Sequence, residues 1–231
     1  MMVFKMKLHN RIKRLLDVLI SMFGLLLLSP LLVIISFFIK METKGPIIFK
    51  QERLGINGRV FKIYKFRSMK IDAEKDNAGL FNYADDPRVT KVGKFIRKTS
   101  IDELPQLLNV LIGDMSLVGP RPAVTYELGD FDTLNKRFKK RFMVLPGITG
   151  LAQVSGRNEI PWDQKVDYDN KYIDLFKKYG VFIDINIIFR TVINIFKSED
   201  IFEEKLDANL SNEDAAKLAE AEIIRKAHEP D

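Results

Sequence analysis

The stretch "VLISMFGLLLLSPLLVIISFFI", residues 18–39, is a run of 22 residues without a charged side chain. At ~1.5 Å per helical residue, a run of this length can cross the ~30 Å hydrocarbon core of a bilayer. Ser29 and Pro30 lie near its midpoint, and a proline inside a helix removes a backbone donor and clashes with the preceding turn. The run therefore predicts a membrane helix that bends or breaks at Ser29 and Pro30, where the serine hydroxyl can bond a freed carbonyl.

Basic residues flank the apolar run on both sides, and basic flanks favour the cytoplasmic side of a membrane. The basic residues on the two sides are Lys5, Lys7, Arg11, Lys13 and Arg14 before the run and Lys40, Lys44, Lys50 and Arg53 after it. A re-entrant hairpin keeps both flanks inside, so we favour it over a straight span; a buried helix of a soluble protein is the third alternative. Asp17 is either a solvated boundary residue or a salt-bridge partner of Arg14 or Lys13 that pins the helix at the interface.

Composition excludes several kinds of chemistry. The chain has no cysteine, and its two histidines, His9 and His228, lie near its ends. It therefore lacks the residues needed for a thiolate nucleophile, a Cys-based zinc site or a Ser-His-Asp triad. Residues 1–70 carry 14 Lys and Arg against 3 acids, whereas residues 199–231 carry 4 against 11. The basic front half indicates an anionic partner, which is nucleic acid, a phosphate-bearing substrate or an anionic membrane.

The remaining patterns predict an α-rich α+β protein. Residues 45–69 read as two short strands joined by a turn at Asn57-Gly58, while helical patterns cover 90–98, 163–179 and 183–197. The apolar face of the last pattern either packs in the core or lies in the membrane interface. We expect a basic arm and membrane hairpin over 1–44, a small cytosolic catalytic domain over 45–198, and an acidic tail over 199–231 that is an exposed helix or disordered.

Two adjacent carboxylates, Asp102 and Glu103, stand in "SIDELPQ", residues 100–106. Ser100 and Glu103 have capping-box spacing, which puts both acids in a first helical turn; alternatively the helix starts properly near Pro105. In both versions the pair lies at a helix N-terminus, where the helix dipole favours negative charge. Capping alone accounts for most such pairs, so the surroundings must carry the functional argument.

Those surroundings are rich in groups that bind anions. The arginines and glycines nearby in sequence are Arg97, Arg121, Arg157, Gly147, Gly150 and Gly156. Arginine grips phosphate through two N–H groups, and glycine lets backbone amides approach it. Carboxylates among arginines predict Mg²⁺ bound together with a polyphosphate, because Mg²⁺ takes one or two carboxylates and completes its shell with phosphate oxygens and water.

Five motifs together resemble the bacterial sugar transferases, the monotopic phosphoglycosyl transferases. They are "KRLLD" (13–17), the apolar run broken at Ser29-Pro30, "FKIYKFRSM", "IRKTSIDELPQLLNVLIGDMSLVGPRP" and "PGITGLAQVSGR". The likeness runs from about residue 11 to 197 and is to the minimal form of the family. It implies transfer of a sugar 1-phosphate from a UDP-sugar to undecaprenyl phosphate, with UMP released, at the cytoplasmic face of the bacterial inner membrane, with amphipathic helices in the interface.

The resemblance also implies roles for individual residues. Asp102 matches the nucleophile that forms a covalent phosphosugar-aspartyl intermediate, and Glu103 matches its metal-associated or basic partner. The positions that match phosphate- or nucleotide-binding residues are Arg97, Arg121, Arg157 and, less closely, Gln153. Asp169 and Asp184 match acidic positions that are structural or metal-linked.

The partners expected are therefore a UDP-sugar, undecaprenyl phosphate and inner-membrane lipids, without nucleic acid; oligomeric state is open, with a homodimer among the alternatives. Two rival functions remain. One is a membrane-bound nucleotide-sugar pyrophosphate hydrolase that uses the same carboxylates with water as acceptor. The other is a non-enzymatic, basic, membrane-anchored binding protein.

Overall fold

The computed structural model describes residues 2–71, 73, 86–156, 160–197 and 212–230. Most of the polar stretch between 70 and 90, as well as Arg157, lies outside the described residues. Helices dominate, with two small two-stranded sheets, which confirms the expected α-rich α+β class. The elements are α1 Met2–Glu42, β1 Ile48–Leu54, β2 Val60–Phe66, α2 Lys91–Lys98, α3 Gln106–Ile112, β3 Ser116–Val118, α4 Lys136–Lys140, β4 Gly147–Thr149, α5 Leu151–Ser155, α6 Trp162–Tyr179, α7 Val181–Lys197 and α8 Asn212–His228.

Helix α1 continues through Pro30, so the structure describes one helix of 41 residues at the predicted hairpin rather than two. Ser29 Oγ donates a hydrogen bond to the Leu26 carbonyl at 2.8 Å. That carbonyl is the one that residue 30 would bond in an α-helix if it had an N–H. The predicted role of Ser29 is therefore confirmed, and among the described helices α1 is the one long and apolar enough to cross a membrane.

The N-terminal half of α1 is bound to the globular part of the protein by charged side chains. Lys13 Nζ lies 2.7 Å from an Asp184 carboxylate oxygen and 2.9 Å from the Val118 carbonyl. Arg14 donates to the carbonyls of Val110 and Leu111 near the C-terminus of α3. These two basic residues thus bind α1 to the domain.

The environment of Asp17 differs from both predictions made for this residue. It is buried rather than solvated, and its carboxylate accepts a hydrogen bond from the Leu117 backbone N–H at 3.1 Å instead of pairing with Arg14 or Lys13. The two basic residues bond groups on other elements. The prediction considered only partners one turn away on the same helix, because the sequence does not show that β3 passes beside α1.

The C-terminal end of α1 is bound to the same domain. Arg67, which follows β2, donates to the Thr43 carbonyl at 2.9 Å and to the Lys44 carbonyl at 2.8 Å. Glu42 accepts from the backbone N–H groups of Lys91 and Val92, which caps the start of α2. Both flanks of the apolar run therefore contact one domain.

The predicted β-hairpin is confirmed. Strands β1 and β2 pair antiparallel from Ile48 opposite Phe66 to Leu54 opposite Val60, and the turn between them carries Asn57 at φ 53° and Gly58 at φ 77°. The second sheet pairs β3 and β4 in parallel. Gly147 is required there because a Cβ on it would lie 2.1 Å from the Gly119 backbone nitrogen.

Helices α6, α7 and α8 complete the domain. Helix α7 buries Ile187 against α5 and α6 but leaves Phe182, Ile185 and Phe189 exposed, so much of its apolar face is outside the core. Helix α8, within the predicted acidic tail, is helical but not fully exposed. Its Ile223 and Ala227 are buried in an apolar cluster. The cluster also contains apolar residues of the segment between β3 and α4, of α4 itself and of α6.

Candidate functional site

A cavity of about 770 Å³ lies between the β-hairpin, α2, α5, α6 and α7. Among the described residues, nine cationic and four acidic side chains border it, which suits an anionic ligand. Five of the predicted site residues border this cavity together: Arg97, Asp102, Glu103, Arg121 and Gln153. Asp169 borders it as well. Arg157, which was also predicted to bind phosphate or nucleotide, is outside the described part of the chain.

Asp102 and Glu103 lie on a single 3-10 turn, Ile101–Glu103, rather than in the first turn of an α-helix. Ser100 has φ 56° and its side chain makes no capping hydrogen bond, so the predicted capping box does not form. Pro105 is instead the N-cap of α3, which confirms the alternative in which the helix starts at this proline. The separate turn lets the two carboxylates face different partners.

Two cations hold Glu103. Lys65 Nζ lies 2.8 Å and Arg121 Nη2 lies 3.0 Å from the same oxygen, Oε1. Burial by itself would raise the pKa of Glu103, but Arg121 and Lys65 outweigh it and hold that pKa well below its usual range. Glu103 is therefore ionised at neutral pH and serves as a fixed negative charge between two cations.

Asp102 is placed differently. Its side chain is buried, and its carboxylate has no hydrogen bond or ion pair with any residue that the structure describes. Burial raises the pKa of Asp102 to about 6, with Lys65 and Arg97 opposing the rise and Glu103 adding to it. An unpaired carboxylate that is mostly ionised at pH 7 and more basic than usual is suited to nucleophilic attack.

Arg97 and Gln153 line other parts of the cavity. Arg97 donates from Nε to Ser68 Oγ at 2.8 Å, and burial lowers its pKa without removing its charge. Both amide atoms of Gln153 are buried without a hydrogen-bond partner in the described part of the chain. The amide is thus available to a ligand in the cavity.

Two of the glycines predicted to bind phosphate, Gly147 and Gly150, lie where two backbone segments pack closely. Gly147 donates its N–H to the Pro120 carbonyl, and a Cβ at Gly150 would lie 2.2 Å from the Gly119 oxygen. Both residues therefore permit close approach of two backbone segments, and the N–H of Gly147 is used within the protein. What they support is the position of "GPRP", residues 119–122, which carries Arg121.

The two other acidic positions have separate roles. Asp169 pairs with Arg141 at 2.9 Å, and burial raises its pKa to about 6 against the opposing effect of Arg141. Asp184 does not border the cavity; it binds Lys13 and accepts from the Tyr172 hydroxyl at 2.8 Å. Asp184 therefore anchors α1 to the domain.

Lys65 and Arg141 are site residues that the sequence did not single out. Lys65 lies in "FKIYKFRSM", where several basic residues alternate and only tertiary packing selects the one that faces Glu103. Arg141 is the last basic residue of the charged stretch 134–142, in which Arg137 and Lys140 pair with exposed Asp167 and Asp174. No local pattern distinguishes Arg141 from these neighbours.

The donor set fits a single Mg²⁺ only in combination with a phosphate ligand. No cluster of three or more acidic or histidine side chains capable of holding a metal occurs within the described ranges. Asp102 and Oε2 of Glu103 remain without protein partners there, while Asp169 is bound to Arg141. Two carboxylates plus phosphate oxygens and water form an acceptable shell for Mg²⁺.

Comparison with known proteins identifies related chains. The family model described as Bacterial sugar transferase matches residues 8–198. The galactosyl transferase CpsE of Streptococcus agalactiae is 46% identical over 198 residues, which cover 80% of this chain and 42% of that protein. The UDP-glucose:undecaprenyl-phosphate glucose-1-phosphate transferase of Klebsiella pneumoniae is 42% identical over 195 residues, covering 82% and 41%.

The uncharacterized sugar transferase EpsL of Bacillus subtilis is 42% identical over 190 residues, covering 82% of this chain and 90% of its own length. The chain thus spans about two fifths of the Streptococcus and Klebsiella proteins and nearly all of the Bacillus one. The matched segment contains the whole cavity and both anchored ends of the apolar run, and it stops before α8.

Proposed function

Because this chain belongs to the bacterial sugar transferase family, we propose that it transfers a sugar 1-phosphate from a UDP-sugar to undecaprenyl phosphate. The products are undecaprenyl-diphosphate-sugar and UMP, and the reaction begins the assembly of a surface glycan or glycoconjugate. The observation that carries the proposal is the asymmetry of the two carboxylates. Glu103 is bound by two cations, whereas Asp102 is buried, lines the cavity and has no ion-pair partner among the residues that the structure describes.

The proposed first step is attack by an Asp102 carboxylate oxygen on the phosphorus that carries the sugar. A bond forms between this oxygen and phosphorus, and the bond from that phosphorus to the oxygen of the α-phosphate breaks, so UMP leaves with the electron pair. Arg121 and Arg97 are positioned to bind the diphosphate oxygens and to stabilise the developing charge. Glu103 keeps Lys65 and Arg121 in place during this step.

In the second step an oxygen of undecaprenyl phosphate attacks the same phosphorus, and the Asp102 carboxylate leaves. Both displacements balance without a redox change or a net loss of water. Asp102 and Oε2 of Glu103 are the groups that would hold Mg²⁺, which when bound supplies charge neutralisation at the phosphate oxygens. Two sequential displacements at one nucleophile predict ping-pong kinetics.

We also propose that α1 is re-entrant, entering and leaving the membrane on the cytoplasmic side. The support is that Lys13, before the apolar run, and Thr43, after it, are both bound by residues of one domain. A straight span would place these flanks ~30 Å apart on opposite sides of the hydrocarbon core. Ser29 and Pro30 provide the place to bend. This topology brings a lipid acceptor and a cytosolic nucleotide sugar to the same interface.

The test uses purified full-length protein in detergent or native lipid, with Mg²⁺ and a UDP-sugar radiolabelled in the sugar phosphate. We expect UMP release and transient labelling of the protein at Asp102, with label passing to undecaprenyl phosphate when it is added. A wild-type rate of transfer by Asp102→Asn would refute the mechanism. Free sugar phosphate formed at the same rate with and without the lipid would identify a hydrolase instead.

A further inference from the structure

The segment Pro120–Pro122, which presents Arg121, is held at each of its three carbonyls. The Pro120 carbonyl accepts from Gly147 N at 2.9 Å, the Arg121 carbonyl from Arg141 Nη2 at 2.7 Å, and the Pro122 carbonyl from Arg53 Nη1 at 2.9 Å. This segment belongs to no helix or strand, so these bonds take the place of regular secondary structure. Its position therefore depends on residues distant in sequence.

Arg141 is the central one of the three donors, and its own position is fixed on several sides. Its side chain is 3% exposed and pairs with Asp169, whose side chain is 2% exposed, at 2.9 Å. The guanidinium group lies 4.7 Å from the Trp162 ring centroid and 5.6 Å from that of Phe142. A planar guanidinium can stack on these rings, form the ion pair with Asp169 and donate from Nη2 to the Arg121 carbonyl, a combination that a lysine ammonium cannot reproduce.

The contacts form a continuous series from Asp169 to the reacting pair. Asp169 holds Arg141, Arg141 holds the backbone of Arg121, and Arg121 Nη2 donates to Glu103. We propose that Arg141, oriented by Asp169, is a positioning residue that sets where Arg121 meets the diphosphate of the nucleotide sugar. This inference rests on the proposed function, because it assigns Arg121 a diphosphate ligand.

A purely structural role for the Arg141 and Asp169 pair makes a different prediction. If the pair only stabilised the core, its loss would weaken ligand binding by the same factor whether or not the Arg121 side chain were present. If Arg141 acts through Arg121, its loss should matter only while that side chain is there. The double-mutant comparison therefore separates the two.

The experiment measures UDP binding by calorimetry with the full chain in detergent and Mg²⁺. Arg141→Lys and Asp169→Asn are each made alone and together with Arg121→Ala, which keeps the backbone carbonyl. Asp184→Asn is the matched control, because Asp184 is also a buried carboxylate paired with a cation, Lys13, but does not border the cavity. Thermal unfolding identifies any variant that fails to fold, in which case the other variant of the pair carries the comparison.

We expect Arg141→Lys to weaken UDP binding about ten- to hundredfold, as loss of one buried hydrogen-bond partner implies. In the Arg121→Ala background the further loss should be less than about twofold. Asp169→Asn should follow the same pattern, and Asp184→Asn should bind UDP as the wild type does. Equal losses in both backgrounds, or wild-type binding by Arg141→Lys, would overturn the positioning role while leaving the proposed function intact. A wild type that bound no UDP would overturn both.

Discussion

Arg121 donates to Oε1 of Glu103 across 3.0 Å, while Asp102, the next residue in the chain, has a carboxylate that contacts no cation closely enough to form an ion pair within the described residues. Two neighbouring acids are thus given opposite environments. Glu103 is neutralised by bound cations, whereas Asp102 is buried and is available to a ligand in the cavity. This arrangement is expected of a nucleophile beside a fixed charge.

This asymmetry predicts that replacing Asp102 and replacing Glu103 have different effects on the stability of the protein. Asp102→Asn should abolish transfer but leave thermal stability unchanged or increased, because it removes a buried charge whose raised pKa corresponds to a penalty of about 1–3 kcal/mol at pH 7. Glu103→Gln should lower stability by about 1–3 kcal/mol, since Lys65 and Arg121 lose their charged partner. Thermal unfolding and UMP release measured on both variants check this; a less stable Asp102→Asn would contradict it.

The raised pKa of Asp102 predicts an acidic limb in the pH dependence of kcat/KM. Asp102, the proposed nucleophile, must be ionised to attack, so the rate should fall about tenfold per pH unit below about pH 6 and level off above it. Lys65 favours the ionised form, so Lys65→Met should move the limb to higher pH. Lys140→Met is the control, because Lys140 pairs with Asp174 outside the cavity; a limb that stayed in place in Lys65→Met would count against this assignment.

The proposed re-entrant topology predicts that both flanks of the apolar run face the cytoplasm. Single cysteines at Arg11 and Lys44 suit labelling because both residues are exposed and the chain has no cysteine of its own. In inside-out and right-side-out vesicles, both cysteines should react with an impermeant maleimide from the cytoplasmic side. Reaction from opposite sides would show a straight span.

Helix α8 predicts a contrast between two adjacent residues. Ile223 is buried among residues of the core and Ile224 is 40% exposed. Ile223→Ala should destabilise the protein by about 2–4 kcal/mol, whereas Ile224→Ala should cost less than about 1 kcal/mol. Thermal unfolding in detergent measures both. Equal effects would mean that α8 is not packed on the domain.

Much of the fold follows from local patterns. The alternating strands around Asn57-Gly58, the helices at 91–98 and 162–179, and the serine beside Pro30 all depend on interactions within a few residues, so short-range rules predict them. The capping box at Ser100 was wrong because Ser100 adopts a left-handed backbone and α3 begins at Pro105. The sequence alone did not decide between a helix that starts at Ser100 and one that starts at Pro105, because local rules support both.

The sequence by itself determined that an uncharged run interrupted by Ser29 and Pro30 precedes two adjacent acids and a set of arginines, because charge, hydropathy and proline geometry are properties of the chain. Only the tertiary structure decided that Lys65 and Arg121 bind Glu103 and not Asp102, that Arg141 holds the Arg121 backbone, and that Asp17 meets Leu117. These contacts join residues between 18 and 100 positions apart. Their partners are selected by packing of the whole domain, which local periodicity does not encode.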